Sequence, residues 1–491
     1  MNIKNNALLF LLLFTSFSMF AKDYKASLFG INSDGKTLNT TSIQFAINHI
    51  NANGGGRLVF NVGRYLTGTI NLKSNVTLHF DEGAILLGST NPFDYEKTSA
   101  SWCYALVVAY DQENIGITGK GILDGQGVEV ARNVVENIEK GLTKDSYKYG
   151  RPSEGNRPML VYFKRCKDIK IIDITYKNSA SWNQTYDLCK NLTIDGITVD
   201  NTTYWNQDGI DIVDCDNVSI TNSYIDAADD GICLKSHDAN SFCNNIFISN
   251  NKIRTSANGI KFGTASKGGF RNVKIVNNIV FDTYRSAIAL ESVDGGFLEN
   301  IEIDSLKVYN TGNLIYLTTG ERIKGKKSTL KNIKISNVYA EIPATKPDAG
   351  YGFEGPIEDQ PRNISPAIII KGLPESIISD VVFKNFVIKH AGGGNAKFAN
   401  VPLNQIESIP ELPAQYPEFS MFKELPAWGA YIRHASGIQF SNIKMQTDKN
   451  DFRVPVVLDD VQKSKFSDLK INGKFKNQDV FQNKSTENQV K

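Results

Sequence analysis

The chain has 491 residues, and its 54 basic and 52 acidic side chains give a formal net charge of +2. This balance excludes the basic excess that is typical of nucleic-acid-binding proteins, so we expect no nucleic-acid partner. Six cysteines in a chain of this length are too few for a disulfide-stapled scaffold.

The first 21 residues are typical of a signal peptide. Lys4 provides a positive charge, an apolar run follows over residues 7–14, and Ala21 is a small residue at a suitable cleavage point. The run is too short to span a membrane, and no cysteine follows it to carry a lipid. We therefore expect a secreted or periplasmic mature chain with no membrane span. A retained N-terminal anchor is the alternative.

Residues 41–53 are expected to form an amphipathic helix, which ends before the glycines at 54–56. A helix in this place would cover the open first coil of a repetitive fold. Terminal units of solenoid proteins need such a cap because their apolar interior would otherwise face water.

A short unit recurs further along the chain: Asn or Asp, an aliphatic residue, any residue, and a second aliphatic residue. From residue 168 its steps are 23, 26, 28, 27, 28 and 32 residues. Each unit alternates apolar and polar positions, as a strand with one buried face does. No amphipathic helix lies between the units, so alternating strands and helices fit poorly. The units begin at Asn114, Asp168, Asn191, Asn217, Asn245, Asn272, Asn300 and Asn332.

A repeat of about 25 residues with two or three short strands predicts one coil of a parallel β-helix, an all-β fold. A second column of strands supports this prediction. Its members begin at Gly209, Gly231, Gly259 and Ala287. Ile210 and its counterparts would stack inside, while Asp211, Cys233, Lys261 and Ala289 would point outward along one face.

Four cysteines follow the same repeat, each two residues before the Asn or Asp of its unit. They are Cys166, Cys189, Cys215 and Cys243. We interpret them as a ladder of small buried groups. Disulfides between neighbouring coils are the alternative in an exported protein.

We expect residues 22–491 to form a single parallel β-helix domain, since no linker separates a second one. Two segments rich in Gly, Pro and aromatic residues, 350–362 and 392–425, are expected to leave the solenoid as loop excursions. The repeat should resume near Ile438 and Phe466.

Two acidic motifs lie about one coil apart, Asn206-Gln207-Asp208 and Asp229-Asp230. Each stands just before a strand of the second column, so coil stacking should bring the three carboxyl groups together. Asp before Gly is also ordinary turn chemistry, but clustered like charges are costly and raise a pKa, which suits a general acid.

These motifs make the chain resemble glycoside hydrolase family 28, the polygalacturonase family of right-handed single-stranded parallel β-helices. Further similarity lies in residues 117–127, in Arg157-Pro158 and in residues 178–182. The family motif Asn-Thr-Asp is matched with Gln207 in place of Thr. The resemblance implies an inverting hydrolase in which Asp229 is the general acid, while Asp208 and Asp230 hold and activate the water. It implies no metal and no cofactor.

Two family motifs are altered. Gly-His-Gly is replaced by Ala257-Asn258-Gly259, and Arg-Ile-Lys by Ala289-Leu290-Glu291. In the family the Arg and Lys contact the substrate, including its carboxylate, which puts galacturonate recognition in doubt. The candidate substrate contacts are Asn206, Lys235, Asn258, Lys261, Arg285, Glu291 and Trp205.

The expected partner is a pectic or related acidic polysaccharide or its oligosaccharides. Loops at residues 133–157 and 350–362 would close one end of the cleft, which favours attack at a chain end. Three alternatives stay open: a glycosidase acting on a neutral or algal glycan, a calcium-dependent polysaccharide lyase, and a carbohydrate-binding relative without activity.

Overall fold

The computed structural model describes residues 22–97, 101–146, 151–344, 365–394, 401–474 and 476–490. The predicted signal peptide at 1–21 and the predicted excursion at 350–362 lie outside the described residues. The proposal of a single domain over residues 22–491 stays a prediction.

The chain winds as a right-handed parallel β-helix, as predicted, and its strands form three sheets that run along the solenoid. The ladders between strands of successive coils are all parallel. The first sheet contains Asp23–Lys25, Gly56–Phe60, Val76–Phe80, Glu113–Gly119, Lys167–Ile172, Lys190–Asp195, Asp216–Thr221, Cys243–Ser249, Gly269–Val276, Lys465–Ile471 and Gln489–Val490. The second contains Gly63–Thr67, Ala84–Gly88, Ile122–Asp124, Thr175–Lys177, Thr198–Asn201, Tyr224–Ala227 and Lys252–Thr255. The third contains Ile70–Asn71, Ala105–Tyr110, Met159–Lys164, Gln184–Asp187, Ile210–Val213, Ile232–Ser236, Ile260–Ser266, Ile368–Lys371, Ala427–Ser436, Val454–Gln462 and Val480–Asn483.

Five longer strands in the C-terminal half continue from one sheet into the next. They are Ile279–Ser292, Phe297–Thr319, Thr329–Ile342, Ile378–Gly392 and Gln439–Lys449. The first of them pairs with Lys252–Thr255 in the second sheet and with Ile260–Ser266 in the third. The resumption of the repeat near Ile438 and Phe466 is confirmed.

The recurring Asn and Asp residues lie at or near the start of strands of the first sheet. Asp168, Asn191 and Asn217 have φ angles of 55°, 55° and 60°, a left-handed conformation that Asn and Asp adopt more readily than other side chains. Their side chains also bond from coil to coil: Asn191 donates to Asp168 at 2.8 Å, and Asn217 donates to Asn191 at 2.8 Å. The repeat therefore reflects both the backbone turn and a polar ladder on the outside.

The interior is a stack of aliphatic side chains. In the third sheet Ile210, Ile232, Ile260 and Ile288 are paired in register, and all four are fully buried. This confirms the predicted second column. Asp211, Cys233 and Lys261 point away from this interior but are also fully buried, because other side chains and a later chain segment cover them.

The cysteine ladder is confirmed over the alternative of disulfides. All six cysteines are free and buried. The backbone N–H of Cys189 donates to Sγ of Cys215 on the next coil at 3.3 Å. The thiols therefore stack at the turn without forming disulfide bonds.

Two α-helices lie outside the coils. Thr40–Ala52 confirms the N-terminal cap and buries Ile43, Ala46, Ile47 and Ile50 against the first coil. Gly127–Glu139 was not predicted, and the expectation of a loop over residues 133–157 is corrected over its first seven residues. Val130, Ala131 and Val134 form a buried stripe at helical spacing there. No helix of the described ranges is both long and apolar enough to cross a membrane. The 3₁₀ helices are Ala26–Phe29, Pro92–Asp94, Glu154–Asn156, Leu403–Ser408, Phe419–Phe422 and Asn477–Asp479.

Of the predicted 392–425 excursion, residues 392–394 and 401–425 are described. Gly392 ends a solenoid strand, and residues 401–425 pack along the outer face of the third sheet. They form a second apolar cluster with the C-terminal coils. The cluster contains Ile406, Ile409, Phe419, Phe422 and Leu425 from the excursion, and Tyr316, Ile369, Ala427, Tyr431 and Val457 from the strands. This segment, called the covering segment below, decides which part of the outer face stays open.

Candidate active site

Asp208, Asp229 and Asp230 line one cavity of about 260 Å³ on the outer face of the third sheet. The stacking of two coils brings them together, since the backbone N–H of Gly209 donates to the carbonyl of Asp230 at 2.9 Å. The other lining residues are Glu154, Trp182, Asn206, Lys235, His237, Thr264, Ala265 and Tyr416. A larger depression of about 680 Å³ beside Lys22 and Asn114 has no carboxyl group in its lining.

The carboxyl group of Asp230 is held by the next coil. Nδ2 of Asn258 donates to it at 2.9 Å, and the backbone N–H of Asn258 donates to the same oxygen at 3.1 Å. Nζ of Lys261 lies 3.3 Å from its other oxygen. Asp229 differs, because it is only half-buried and its Oδ1 accepts from the backbone N–H of Asp230 at 3.1 Å.

These surroundings separate the pKa values of the two neighbours. Burial and the Asp230 carboxylate raise the pKa of Asp229 to about 6, against the opposing influence of Arg285 and Lys261. Burial would raise the pKa of Asp230 too, but the positive charges of Lys261, Lys235 and Arg285 hold that pKa below its ordinary value. Asp229 is thus suited to keep a proton, and Asp230 to stay ionised.

Lys235 contacts both Asp208 and Asp211, and Asp211 was not among the predicted site residues. Nζ of Lys235 lies 3.0 Å from Asp208 and also contacts Asp211, and it lies 4.2 Å above the ring centroid of Trp182. Burial raises the pKa of Asp208, and it raises the pKa of Asp211 to about 6, while Lys235 opposes both shifts. One cation therefore serves two buried carboxyl groups.

A second group of charges lies behind the cavity wall. Oε1 of Glu418, from the covering segment, accepts from Arg285 at 2.6 Å and from Lys261 at 3.4 Å. Nδ2 of Asn258 lies 3.5 Å from the same oxygen. Oε2 of Glu291 lies 4.0 Å from Nζ of Lys261, and burial raises the pKa of Glu291 well above its ordinary value.

The placement of the predicted contacts is therefore mixed. Asn206 and Lys235 line the cavity with the three aspartates. Asn258, Lys261, Arg285 and Glu291 do not line it, and all four are at least nine-tenths buried. Glu418 of the covering segment contacts Asn258, Lys261 and Arg285. The role of the four residues as direct sugar contacts stays a prediction.

Trp205 also lies off the cavity lining. Its ring packs against the core, and the guanidinium of Arg151 lies 5.1 Å from the ring centroid. Trp182 is the tryptophan of the cavity. Position along the chain favoured Trp205 because it adjoins the Asp208 motif, but Trp205 packs against the core while Asp208 lines the cavity.

Glu418 and Tyr416 carry no sequence signal. They lie 133 to 160 residues from the groups they contact. Lys261 donates to the Tyr416 hydroxyl at 3.1 Å, and its Nζ lies 5.0 Å from the Tyr416 ring centroid. The covering segment was predicted to leave the solenoid, but its destination depends on tertiary packing. The sequence did indicate where Asp211 lies, since it shares an outward-pointing column with Lys261, but no role in the site was predicted for it.

Two residues of the family-like motifs have structural roles. Gln207, which replaces Thr, is fully buried and accepts from the backbone N–H groups of Thr203 and Tyr204 at 2.5 and 2.7 Å. The guanidinium of Arg157, also fully buried, donates to three carbonyls and to Oδ1 of Asn206 at 2.7 to 3.0 Å. Both hold the loop that presents Asp208.

The donor set of the cavity does not fit calcium. A carboxyl oxygen of Asp208, one of Asp230 and Sγ of Cys233 lie within 4.8 Å of one another. Calcium takes six to eight oxygen ligands, whereas burial keeps the pKa of the Cys233 thiol well above its ordinary value. Lys235 and Lys261 already contact the two carboxyl groups.

The fold and the site define a parallel β-helix protein with a carboxylate-lined cavity on the outer face of one sheet. Residues 57–293 of the chain, which include this cavity's three aspartates, match the family model described as glycosyl hydrolases family 28. This matched region, just under half of the chain, belongs to that family.

Named relatives agree with this assignment. A probable polygalacturonase of Vitis vinifera is 29% identical over 43% of this chain and 44% of the relative. An exo-poly-alpha-D-galacturonosidase of Dickeya chrysanthemi is 28% identical over 42% of this chain and 40% of the relative. The chain thus spans less than half the length of these relatives. The structure of an exopolygalacturonase from Thermotoga maritima covers 86% of this chain at 22% identity, with 91% of its own length aligned and a TM-score of 0.63, which shows the fold.

Proposed function

We propose that this protein is an inverting glycoside hydrolase that acts on a pectic polysaccharide or its oligosaccharides from a chain end. The observation that carries this proposal is the pair Asp229 and Asp230, which line one cavity with pKa values moved in opposite directions. Hydrolysis with inversion needs one carboxylic acid and one carboxylate on opposite sides of the scissile bond.

Asp229 is the proposed general acid. It is the half-buried member of the pair, and its pKa of about 6 lets it hold a proton in mildly acidic solution. From the cavity wall it can protonate the leaving oxygen as the glycosidic bond breaks.

Asp230 is the proposed base, and Asp208 the group that positions the water. Oxygens of these two side chains approach within 4.8 Å. A water molecule that donates to both at about 2.7–2.8 Å spans a gap of roughly 4 to 5 Å. Asp230, held ionised by Lys261, accepts the proton as the water attacks the anomeric carbon.

The covering segment supports action at a chain end. It fills the outer face of the third sheet beyond the cavity with apolar side chains, and Tyr416 forms part of the cavity wall. A volume of about 260 Å³ is below the roughly 300–1,000 Å³ typical of pockets for larger ligands. The cavity thus suits a terminal sugar unit, with the rest of the glycan leaving on the open side.

We also propose that the protein is exported, with residues 1–21 removed as a signal peptide. The support is the charged and apolar pattern of that segment. N-terminal sequencing of the protein recovered outside the cytoplasm should begin at Lys22. A start at Met1 would contradict the proposal.

The function is tested by incubating the protein with a panel of pectic and algal polysaccharides and their oligosaccharides. Wild-type protein should release reducing ends, and Asp229→Asn should lower the rate by at least about 100-fold, the usual contribution of general acid catalysis. Asp226→Asn is the matched control, because Asp226 pairs with Arg254 on the second sheet and should keep full activity.

Two outcomes would replace the proposal. An ultraviolet-absorbing unsaturated product that disappears when calcium is chelated would indicate a lyase. Saturable binding of a glycan without turnover, and unchanged in Asp229→Asn, would indicate a carbohydrate-binding protein.

A further inference from the structure

Most charged groups that line the cavity are carboxyl groups, whereas two of the nearby cations, Lys261 and Arg285, lie behind its wall. Of the charged groups that line it, Glu154, Asp208, Asp229 and Asp230 are carboxyl groups, and Lys235 is the cation. Lys235 is already committed, since its ammonium contacts both Asp208 and Asp211. His237 also lines the cavity, but burial and the charge of Lys235 lower its pKa, which favours the neutral imidazole. Within the described lining, no cation is left to face a ligand.

Arg285 and Lys261, the two cations that lie behind the cavity wall, also have ion-pair partners. Arg285 and Lys261 are turned toward Glu418 at 2.6 and 3.4 Å, and Lys261 also lies 3.3 Å from Asp230. The side chain of Lys261 is fully buried, and that of Arg285 is 8% exposed. Because each is partnered and enclosed, neither can approach a sugar in the cavity without breaking a buried ion pair.

A uronate unit in this cavity would therefore bring a further carboxylate beside Asp230, which is held ionised. Carboxylates are normally bound by an unpaired Arg or Lys, often in bidentate geometry, and like charges at short range repel strongly where water is excluded. A sugar with a hydroxymethyl, methyl or unsubstituted carbon in that position meets no such repulsion, and its hydroxyl groups can donate to the carboxylates.

We infer that the sugar unit seated and released in this cavity is neutral rather than a uronate, and that Glu418 fixes this selectivity. The inference rests on the proposed function, because it takes the cavity as the site where the terminal sugar is cleaved. Glu418 is a positioning residue, since it acts by holding Arg285 away from the ligand. Acidic units of the glycan would lie outside the cavity.

The direct test compares the binding of a charged sugar with that of neutral sugars. Binding to Asp229→Asn protein is measured by calorimetry for D-galacturonate and D-galactose, which differ at carbon 6, and for L-rhamnose, D-xylose and L-arabinose. At least one neutral sugar should bind at least about tenfold more tightly than galacturonate, the difference that a carboxylate left without a cation produces. Tighter binding of galacturonate, or no binding of any neutral sugar, would overturn the inference.

The second test measures which sugar the enzyme releases. Oligosaccharides ending in a neutral sugar or in galacturonate are incubated with wild-type protein and with Glu418→Gln, and the released monosaccharides are separated by anion-exchange chromatography. Wild type should release the neutral sugar, and Glu418→Gln, which frees Arg285, should shift the ratio toward galacturonate by about tenfold. A purely structural role for Glu418 would lower both rates together and leave the ratio unchanged, which would overturn the assignment to Glu418.

Glu424→Gln is the matched control. Glu424 is a buried glutamate of the same covering segment, and it lies 3.7 Å from Arg453, away from the cavity. It should leave the ratio unchanged. Release of galacturonate by wild type would refute the neutral-sugar inference and leave the hydrolase proposal standing. Release of no sugar from any substrate would refute the hydrolase proposal, and the binding comparison would still decide the charge of the ligand.

Discussion

The pH dependence of catalysis follows from the raised pKa of Asp229. The general acid must carry a proton, and burial together with the Asp230 carboxylate sets its pKa at about 6. The protonated fraction is then about 0.9 at pH 5 and about 0.01 at pH 8, so kcat/KM should fall about 90-fold over that range. Asp230 adds no loss at pH 5, because its pKa is held below its ordinary value and it stays ionised there.

The assay is release of reducing sugar at low substrate concentration from pH 5 to pH 8, with thermal unfolding recorded at each pH. Glu154→Gln should move the alkaline limb to lower pH, because the Glu154 carboxylate is one of the charges that raise the pKa of Asp229. A rate that is flat across this range, or that rises toward pH 8, would refute the assignment of Asp229 as the acid.

Three further predictions concern the scaffold. Arg157→Met should lower the free energy of unfolding by about 2–3 kcal/mol, because it leaves the acceptors of two buried and two partly buried hydrogen bonds unpaired; an unchanged melting temperature would contradict this. Although burial opposes its charge, hydrogen bonds to Glu411 and Asp460 raise the pKa of His434, so His434→Gln should destabilise at pH 5 and lose this effect as pH rises through the raised pKa. Equal destabilisation at pH 5 and pH 9 would argue against that pairing. A thiol reagent should label none of the six buried cysteines in the native protein and all six after unfolding; two or more unreactive thiols after unfolding would indicate a disulfide.

The coil repeat could be predicted from the sequence because its signals are local. A left-handed turn that favours Asn or Asp, followed by alternating burial, leaves the same pattern in each coil. The aliphatic column at Ile210 and Ile232 and the cysteine turns depend on the same periodicity. The clustering of Asp208 with Asp229 and Asp230 followed from that register alone.

What the sequence could not supply is the contribution of the covering segment. The outward direction of Lys261 was a correct deduction from strand alternation, but its partner Glu418 comes from a distant part of the chain and could not be predicted. The contact of Lys261 with a sugar stays a prediction. The helix at Gly127–Glu139 was missed for a different reason: its apolar stripe is short and lies between solenoid strands. Long-range packing, and not local propensity, decided which groups lie behind the cavity wall.

The central claim is that Asp229 and Asp230 act on opposite sides of one glycosidic bond. It is tested most directly by recording proton NMR spectra during the first minutes of hydrolysis, before the released sugar equilibrates between its anomers. The sugar should appear first in the anomeric configuration opposite to that of the bond cleaved, and Asp229→Asn should release none in the same time. Release with the original configuration, or an unsaturated product, would contradict the account.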